Sequence, residues 1–329
     1  MAVLICGGAG YIGSHVNQCF SRNGRDTVVF DNLVYGHREA VKWGRFIKGD
    51  LSDREALESV FSQYAIDAVI HLAAYAYVGE SVIEPQKYYI NNVANTLNLL
   101  SVMRKFGCGR LVFSSTCATY GEPERLPITE DMPQNPVNPY GRTKLMAEQI
   151  FRDYEKAYGM KFAVLRYFNA AGADPEGNIG ESHDPETHLI PLVLLAAAGK
   201  RKEVSVFGTD YDTPDGSCIR DYIHVSDLAR AHLLALAYLE KEEKSCFLNL
   251  GNERGTSVFE VIAAAKKVTG KDFPIRKCPR RPGDPAKLVG SSRLAGDLLG
   301  WKPRYPEIET IVEHAWNWQK KRENSYDGY

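Results

Sequence analysis

A tyrosine and a lysine stand four residues apart at Tyr140 and Lys144, at the predicted start of a helix. This spacing places both side chains on one helical face, one turn apart. A phenol with a pKa of about 10 is a weak base at neutral pH, and a neighbouring ammonium favours the phenolate. Lowering that pKa by about three units corresponds to about 4 kcal/mol of differential stabilisation. The pair therefore predicts a phenolate base that takes a proton from a substrate hydroxyl.

Three consecutive hydroxyl residues, Ser114, Ser115 and Thr116, follow the fifth predicted strand. In open α/β sheets, ligands bind beyond the carboxyl ends of the strands. Thr116 is therefore predicted to orient a substrate hydroxyl or to pass its proton to Tyr140. The alternative is that these hydroxyls only cap the next element.

A glycine-rich turn lies between the first predicted strand and the first helix, with Gly7, Gly10 and Gly13 in the spacing G-x-x-G-x-x-G. Glycine permits the tight turn and lets the backbone approach a pyrophosphate, which the helix N-terminus then binds. Asp31 ends the second strand, where a carboxylate receives the adenosine ribose hydroxyls. That carboxylate repels the 2′-phosphate of NADP, and Asn32 rather than an arginine follows it. The pattern therefore predicts a site for NAD. The alternative is that the glycines and Asp31 form only a helix cap and a turn.

Strands and helices alternate through the first half of the chain, which predicts an α/β fold with a Rossmann-type, doubly wound parallel sheet. The predicted strands are 2–6, 27–30, 45–47, 68–71, 110–114 and 162–167, and the long helices are 85–106 and 139–158. After Asn169 the chain becomes rich in Gly, Pro, Asp and Thr, around an apolar helix at 189–198. Further helices are predicted at 225–239, 257–268 and 308–318. We expect a dinucleotide-binding domain at 1–169, and a smaller α/β substrate-binding region at 170–329 with some segments returning to the sheet.

The composition limits the possible partners. The 329 residues carry 40 basic and 41 acidic side chains, so no basic face for nucleic acid is expected. No apolar run approaches the roughly 20 residues that span a bilayer, and no signal peptide is recognised. The seven cysteines are scattered without a Cys-x-x-Cys pair, which suits reduced thiols in the cytoplasm. His183 and His188 are five apart, not the four that would stack them on one helical face, and no metal site is expected.

The glycine turn, Asp31, the hydroxyl cluster and the Tyr140/Lys144 pair resemble the extended short-chain dehydrogenase/reductase superfamily. Further segments resemble the UDP-glucose 4-epimerase family more specifically, and the resemblance covers essentially the whole chain. These segments are 78–81, 88–92, 165–169 and 220–224.

The resemblance implies an isomerase with no net redox change. Tyr140, assisted by Thr116, takes the proton from the C4 hydroxyl of a UDP-sugar while the C4 hydride passes to tightly held NAD. The 4-keto sugar then turns in the pocket, and the hydride returns to its opposite face. Lys144 also holds the nicotinamide ribose. The family's homodimer implies that the helices beginning at Pro85 and Pro139 pair with a second copy, although their apolar faces equally suit an ordinary core.

The resemblance also assigns binding residues one by one. The residues expected around NAD are Gly7, Gly10, Tyr11, Ile12, Gly13, Asp31, Asn32, Asp50, Leu51, Leu72, Ala73, Ala74, Tyr75, Asn91, Thr116, Tyr140, Lys144 and Phe168. Those expected around the UDP-sugar are Thr116, Tyr140, Asn169, Leu189, Phe207, Arg220, Arg281, Asp284 and Leu288. Within the second set, the arginines grip the diphosphate, Phe207 stacks near uracil and Asp284 meets the uridine ribose. Taken alone, Asp50 equally suits a plain helix cap.

Two departures from the family pattern bear on cofactor and substrate. Ala76 stands where many members carry a lysine that contacts the cofactor, so this contact is lost or replaced. Leu288 stands at the pocket wall whose bulk decides whether an N-acetyl group fits, and it is neither the bulky tyrosine nor the smallest option. The run 74–79 also resembles epimerases of UDP-pentoses. UDP-pentoses and UDP-N-acetylhexosamines therefore remain alternatives to UDP-glucose and UDP-galactose.

Other activities on the same fold are weighed by single residues. A sugar-nucleotide 4,6-dehydratase carries Asp-Glu after its threonine to supply an acid and a base, whereas Cys117 and Ala118 follow Thr116 here. A non-catalytic dinucleotide sensor has no need of Tyr140, Lys144 and Thr116. A net dehydrogenase releases its cofactor each turnover, so tight retention of NAD distinguishes it from an epimerase.

Overall fold

Seven parallel strands form the central sheet of the computed structural model, which describes residues 1–281 and 284–326. Their order across the sheet is β10-β6-β5-β4-β1-β2-β3. The strands are β1 (Ala2–Cys6), β2 (Asp26–Asp31), β3 (Arg45–Lys48), β4 (Ile66–His71), β5 (Arg110–Thr116), β6 (Lys161–Tyr167) and β10 (Cys246–Leu250). The chain runs outward from β1 in both directions, as in a doubly wound fold. The predicted fold class is confirmed, and each predicted strand lies within an observed one.

Helices cover both faces of this sheet, which explains why its strands are apolar without alternation. Val3 and Ile5 of β1 face a core shared with Trp301, whereas Leu4 faces the opposite core with Leu57 and Phe151. The helices are α1 (Tyr11–Arg22), α2 (Arg54–Gln63), α3 (Val78–Ile83), α4 (Pro85–Tyr89), α5 (Asn95–Lys105), α6 (Pro139–Tyr158), α7 (Leu189–Ala197), α8 (Val225–Glu242), α9 (Val258–Thr269), α10 (Arg293–Leu299) and α11 (Ile308–Tyr326). Within the described ranges, no helix is both long and apolar enough to cross a bilayer.

The helix predicted at 85–106 contains one turn of π-helix, Ile90–Ala94, between α4 and α5. The side-chain oxygen of Asn92 accepts a hydrogen bond from the Tyr75 amide at 2.9 Å, and its nitrogen donates to the Tyr75 carbonyl at 3.0 Å. The widened turn therefore presents Asn92 to the loop that follows β4. Such turns occur mostly at functional sites.

A small sheet centred on β9 (Ile219–His224) stands beside the carboxyl ends of the main sheet. Its other strands are β7 (Asn169–Ala171), β11 (Gly255–Ser257) and β13 (Lys287–Leu288). A separate pair joins β8 (Val204–Phe207) to β12 (Ile275–Cys278). The chain between these elements returns through α8 and β10 to the main sheet, where β10 pairs with β6.

Candidate active site

The glycine turn lies where the winding of the sheet reverses, between the carboxyl ends of β1 and β4. This crevice is the usual ligand site of doubly wound sheets. Gly7 adopts a φ of +81°, and a Cβ on Gly13 would fall 2.0 Å from the Gly7 carbonyl oxygen. Glycine is therefore required at both positions by the backbone itself. A Cβ on Gly10 would meet only that same oxygen, at 3.5 Å, so this side of the turn is open to a ligand.

The N-terminus of α1 is suited to bind phosphate. No side chain caps Gly10, and the first turn of the helix carries no acidic residue. The first backbone amides of α1 lie at the positive end of the helix dipole and are therefore available to bind an anion. This arrangement fits the pyrophosphate of a dinucleotide.

Asp31 is buried at the end of β2, beside the turn. Its carboxylate accepts hydrogen bonds from the amides of Ala9, at 2.9 Å, and Leu33, at 2.8 Å. Burial raises the pKa of Asp31, and these two hydrogen bonds oppose the rise. The carboxylate is thus held in one orientation, where its remaining lone pairs suit ribose hydroxyls.

Asn32 and Asp50 form a polar pair at the next position along the sheet edge. The Asn32 side chain donates to the Asp50 carboxylate at 2.6 Å, and the Ser52 amide donates to it at 2.8 Å. Burial opposes ionisation, but these hydrogen bonds outweigh it and lower the pKa of Asp50. Leu51 is buried in the core beside them. Asp50 is therefore fixed by the loop it caps and by Asn32 together.

The loop after β4 approaches the glycine turn so closely that a Cβ on Gly7 would lie 2.6 Å from the Ala73 amide nitrogen. Leu72 is fixed by its amide, which donates to the Cys6 carbonyl at 2.9 Å. Asn91 donates to the Asn92 side chain at 2.9 Å, and Asn92 in turn holds the loop. Asn92 was missed by sequence reasoning, because only its two hydrogen bonds to one loop residue distinguish it from other helical asparagines.

A cation lies near the loop although Ala76 supplies none. The Lys87 ammonium is 4.4 Å from the centroid of the Tyr75 ring and 2.7 Å from the Glu80 carboxylate. It comes from α4 rather than from the loop itself. An ammonium paired with Glu80 therefore lies beside Tyr75 and is supplied by a different element.

Thr116, Tyr140 and Lys144 meet at the carboxyl end of β5 and the start of α6. Asn138 caps α6 by accepting from the Gly141 amide at 2.8 Å. The Lys144 ammonium donates to the Ser114 carbonyl at 2.7 Å and lies 6.0 Å from the centroid of the Tyr140 ring. Thr116 accepts from the Ala118 amide at 3.2 Å. The Thr116 oxygen is the acceptor in this contact, so the Thr116 hydroxyl hydrogen is available for donation to another group.

Burial shifts the pKa values of both members of the pair away from their charged forms. Burial raises the pKa of Tyr140 to about 12, partly opposed by a hydrogen bond with Thr116. Burial lowers the pKa of Lys144 to about 7, partly opposed by Glu148. Desolvation outweighs the attraction of an ammonium that is directed to the Ser114 carbonyl. The predicted fall in the Tyr140 pKa also depends on the positive charge of a bound nicotinamide, and it stays a prediction.

A buried ion pair connects the elements that carry this cluster. Arg166 of β6 contacts the Glu148 carboxylate of α6 at 2.6 Å and 3.1 Å, and both side chains are almost fully buried. Glu148 also accepts from Ser115 at 2.5 Å, and Arg166 donates to the Tyr120 hydroxyl at 2.8 Å. The pair joins the helix that carries Tyr140 and Lys144 to the strands that carry the hydroxyl cluster. Sequence reasoning missed it, since a charged residue inside a helix usually faces solvent.

Three residues expected at the cofactor pack mainly against protein. The Tyr11 hydroxyl donates to the Gly172 carbonyl at 2.6 Å, so this group is directed away from the crevice. Ile12 packs against the core under α1. Phe168 is buried with Leu288 in a small cluster, and a Cβ on Gly290 would lie 2.1 Å from its ring. For Tyr11, only the backbone at the start of α1 remains for a dinucleotide.

Six of the nine residues expected at the substrate line one cavity of about 350 Å³. Arg281 lies over the Phe207 ring, with its guanidinium carbon 3.9 Å from the ring centroid. Arg220 donates to the Pro285 carbonyl at 2.9 Å and contacts Asp284 at 3.3 Å. The six residues are Asn169, Leu189, Phe207, Arg220, Arg281 and Asp284.

This cavity and the hydroxyl cluster of Ser114, Ser115 and Thr116 both lie at the carboxyl ends of β5 and β6. The register of β5 and β6 pairs Thr116 with Tyr167, two residues before Asn169. Leu288 lies opposite Arg220 in the pairing of β13 with β9. Two arginines beside a half-buried aromatic ring suit a nucleoside diphosphate.

Comparison with known proteins agrees with this geometry. The model of the NAD dependent epimerase/dehydratase family matches residues 3–251. The UDP-glucose 4-epimerase of Halalkalibacterium halodurans is 53% identical over 99% of this chain and 98% of its own.

Two solved structures are similar over nearly their whole length. The UDP-glucose 4-epimerase of Brucella ovis in complex with NAD has a TM-score of 0.94 and 51% identity, covering 96% of this chain and 97% of its own. That of Stenotrophomonas maltophila, with bound NAD and formylated UDP-arabinopyranose, has a TM-score of 0.96 and 39% identity, covering 99% of both chains. By its sequence, its fold and the shape of its crevice, the chain belongs to the UDP-glucose 4-epimerase family.

Proposed function

We propose that this protein is an NAD-dependent isomerase that interconverts UDP-glucose and UDP-galactose by inverting C4. The observation that carries the proposal is the meeting of Thr116, Tyr140 and Lys144 between an open dinucleotide turn and an arginine-lined cavity. The relatives bound to NAD, and to NAD with a UDP-sugar, support both ligands.

The dinucleotide is held by the crevice between β1 and β4. The free amides of α1 receive the pyrophosphate, Asp31 the adenosine ribose, and Asn32 with Asp50 the adenine side. Lys144 reaches the nicotinamide ribose from α6. When bound, NAD⁺ supplies a hydride acceptor that later returns the hydride, so the reaction has no net redox change.

Tyr140 is the base that takes the C4 hydroxyl proton and later returns it. Its phenolate is disfavoured by burial in the chain alone, so ionisation depends on positive charge brought close to it. Lys144 contributes a buried ammonium from one helical turn away, and Thr116 donates a hydrogen bond to the phenolate oxygen. Proton transfer of this kind contributes about 10²–10⁴-fold to the rate.

The cavity binds the nucleotide and leaves the sugar free to turn. Arg220 and Arg281 bind the diphosphate, Phe207 offers a ring face to uracil, and Asp284 accepts from the uridine ribose. Charge-assisted bonds to phosphate are strong and directional, so the nucleotide stays fixed. A 4-keto sugar held only by this anchor can present either face to the hydride.

A UDP-pentose is the second candidate substrate. Leu288 is half-buried against the cluster of Phe168 and Tyr120, which leaves a wall of intermediate bulk beside Arg220. The Stenotrophomonas maltophila relative with formylated UDP-arabinopyranose supports a pocket that accepts such sugars.

We also propose a homodimer formed by α4, α5 and α6. Apolar side chains on α3, on the π-helical turn between α4 and α5, on α5 and on α6 are exposed in the single chain, and a patch of exposed apolar surface marks an interface. These residues are Val82, Ile83, Ile90, Leu97 and Met146. Light scattering on the wild type and on Ile90→Asp tests this proposal, since a dimer predicts that the charge yields monomers.

We place the enzyme in the cytoplasm, where its thiols stay reduced. All seven cysteines are unpaired, and four of them are buried. Fractionation of cells that express the protein tests this location, and recovery of the activity outside the cytoplasm contradicts it.

The experiment that tests the function omits added cofactor. The purified protein is incubated separately with UDP-galactose, UDP-N-acetylgalactosamine and UDP-arabinopyranose, and the products are separated by chromatography. Conversion to the C4 epimer without added NAD supports an epimerase that retains its cofactor, and the fastest substrate identifies the sugar. No conversion of any of the three, even with NAD supplied, overturns the proposal.

A further inference from the structure

Two Glu-x-His pairs converge in the loop before α7. Glu181 and His183 form the first pair, and Glu186 and His188 form the second, five residues later. One ligand atom from each of the four side chains lies within 4.8 Å of the others. Helical spacing alone gave no reason to expect this arrangement, because the segment is a loop that folds the second pair back onto the first.

The donor atoms lie within ligand-to-ligand distances of one another. The Nδ1 atoms of His183 and His188 lie 3.0 Å and 2.7 Å from the same oxygen of Glu181. A Glu186 oxygen lies 3.0 Å from the His188 Nδ1, and its other oxygen 3.8 Å from the His183 Nδ1. Ligands about 2.0–2.1 Å from a tetrahedral zinc ion stand about 3.3 Å apart. The observed spacings are close to that value and need only small adjustments.

Three of the four side chains are largely shielded from solvent, whereas that of His188 is 46% exposed. The Glu181 side chain is 7% exposed, and those of Glu186 and His183 are 12% and 19% exposed. Glu181, His183 and Glu186 line a cavity of about 70 Å³, whereas a single water needs only about 10–15 Å³. Arg322 lines the same cavity, but its guanidinium donates to the Ser182 hydroxyl at 2.7 Å. There is therefore room for an ion beside these three side chains.

The ligand types select the class of metal. Imidazole nitrogen suits zinc and its neighbours among the transition metals, whereas calcium and magnesium prefer oxygen alone. Two carboxylates and two neutral imidazoles carry a charge of −2, which a divalent ion neutralises. A compensated charge is far less costly to bury than two adjacent carboxylates.

We propose that Glu181, His183, Glu186 and His188 form a site for a divalent transition metal, with Zn²⁺ as its ion. The site is structural, since its four protein ligands complete a tetrahedral shell. It lies next to Tyr11 at the start of α1, whose ring centroid is 6.3 Å from that of His183. Its existence does not depend on the activity proposed above.

The position of the site indicates which part of the chain a bound metal would stabilise. His37 contacts the Ser182 carbonyl at 2.7 Å, and Trp318 of α11 donates to the Glu181 carbonyl at 3.0 Å. The loop thus lies between the dinucleotide half and the last helix. His188 immediately precedes Leu189, and both line the substrate cavity. The metal therefore fixes the segment that forms one wall of that cavity.

The test measures metal binding to the full-length protein with any affinity tag removed. The protein is stripped with chelator and dialysed against Zn²⁺ buffered by a competing chelator, and bound zinc is counted by mass spectrometry. Co²⁺ is then substituted, because its visible absorption reports the coordination geometry. The variants are Glu186→Gln, His188→Ala and the double variant. The matched controls are Glu176→Gln and His37→Gln, which change the same residue types close to the loop but outside the donor set.

We expect one zinc per chain in the wild type and in both controls, with a tetrahedral Co²⁺ spectrum. Loss of even an outer-shell partner weakens metal sites about 10–100-fold, so each ligand variant should lose at least about tenfold in affinity. Circular dichroism of the metal-free variants verifies that they are folded. The proposal is overturned if the wild type binds no zinc, or if the folded double variant binds it as tightly as the wild type. Either result identifies the cluster as an ion-pair network.

Discussion

The ammonium of Lys144 is bound to the carbonyl of Ser114, 2.7 Å away, and not to the hydroxyl of Tyr140. The lysine is therefore positioned by the strand that carries the hydroxyl cluster, while the tyrosine depends on its place in α6. Burial acts oppositely on the two groups, because it disfavours the charged form of each. In the function proposed above, a bound ligand that brings positive charge to the crevice therefore favours the phenolate.

Removing the Tyr140 hydroxyl should abolish turnover without emptying the site. Tyr140→Phe keeps the ring and deletes the base, so we expect kcat to fall by at least about 10²–10⁴-fold. Binding of UDP, measured by calorimetry, and the NAD content of the purified protein should stay close to the wild-type values. A variant with wild-type kcat would exclude Tyr140 as the base.

Breaking the buried ion pair should destabilise the fold. Glu148→Gln leaves the Arg166 guanidinium buried with a neutral partner, and such changes cost about 3–5 kcal/mol. The free energy of unfolding in urea measures the loss. Replacing both residues, as in Glu148→Leu with Arg166→Met, should cost less than the sum of the single changes.

The exposed pair of Arg45 and Asp26 provides the control for this series. Arg45→Met should cost less than about 1 kcal/mol, because surface pairs contribute little. Equal losses from the buried and the exposed pair would contradict the role given to Glu148.

Arg281 should contribute to nucleotide affinity, whereas its neighbour Arg280 should not. Arg281 lines the cavity over Phe207, and Arg280 is bound to Asp210 at 2.8 Å. A hydrogen bond to a charged group contributes about 1.5–3 kcal/mol, so Arg281→Met should weaken UDP binding by about 10- to 100-fold. Arg280→Met should stay within about threefold. Titration calorimetry with UDP distinguishes the two, and equal effects would remove Arg281 from the binding site.

Acid should destabilise the protein partly through His232. Burial lowers the pKa of His232 to about 4, although its hydrogen bond to the Leu228 carbonyl works in the other direction. Between pH of about 6.5 and about 4, the unfolded chain therefore binds a proton that the folded chain does not. Stability falls as the pH falls, by about 1.4 kcal/mol per pH unit for this residue.

His232→Gln removes this titration while keeping a polar side chain. From pH 6.5 to 4.5, the variant should lose about 2–3 kcal/mol less of its free energy of unfolding than the wild type. Urea unfolding at each pH gives the comparison. Parallel curves for the two proteins would mean that His232 does not resist protonation.

Six of the seven strands of the main sheet could be predicted from the sequence, because they are short runs between polar turns in a regular alternation with helices. The seventh, β10, was not predicted, since it lies beyond that alternation in the second half of the chain. Asp31 and Thr116 fall at strand ends, so the same alternation also predicts their edge of the fold. The π-helical turn at 90–94 could not be predicted, since one widened turn hardly alters the apolar spacing of a long helix. The short strand β13 escaped as well, because two residues carry no periodicity.

Contacts between distant charged residues were equally out of reach. Nothing in the sequence distinguishes Glu148 and Arg166 from surface residues, because their burial depends on β5, β6 and α6 packing together. The effect of burial on the pKa of Tyr140 was out of reach for a related reason. Spacing gives the distance between two side chains along a helix, but the degree of desolvation depends on the whole fold.

The pairing of β13 with β9 places Leu288 directly opposite Arg220. In the function proposed above, Leu288 bounds the space for the sugar and Arg220 holds the nucleotide, yet the two residues are 68 positions apart in the chain. Because the backbone ladder fixes this separation, a bulkier or smaller residue at 288 alters the space without displacing the arginine. In the proposed function, a substitution at position 288 therefore changes which sugars fit, while the contacts of Arg220 with UDP stay the same.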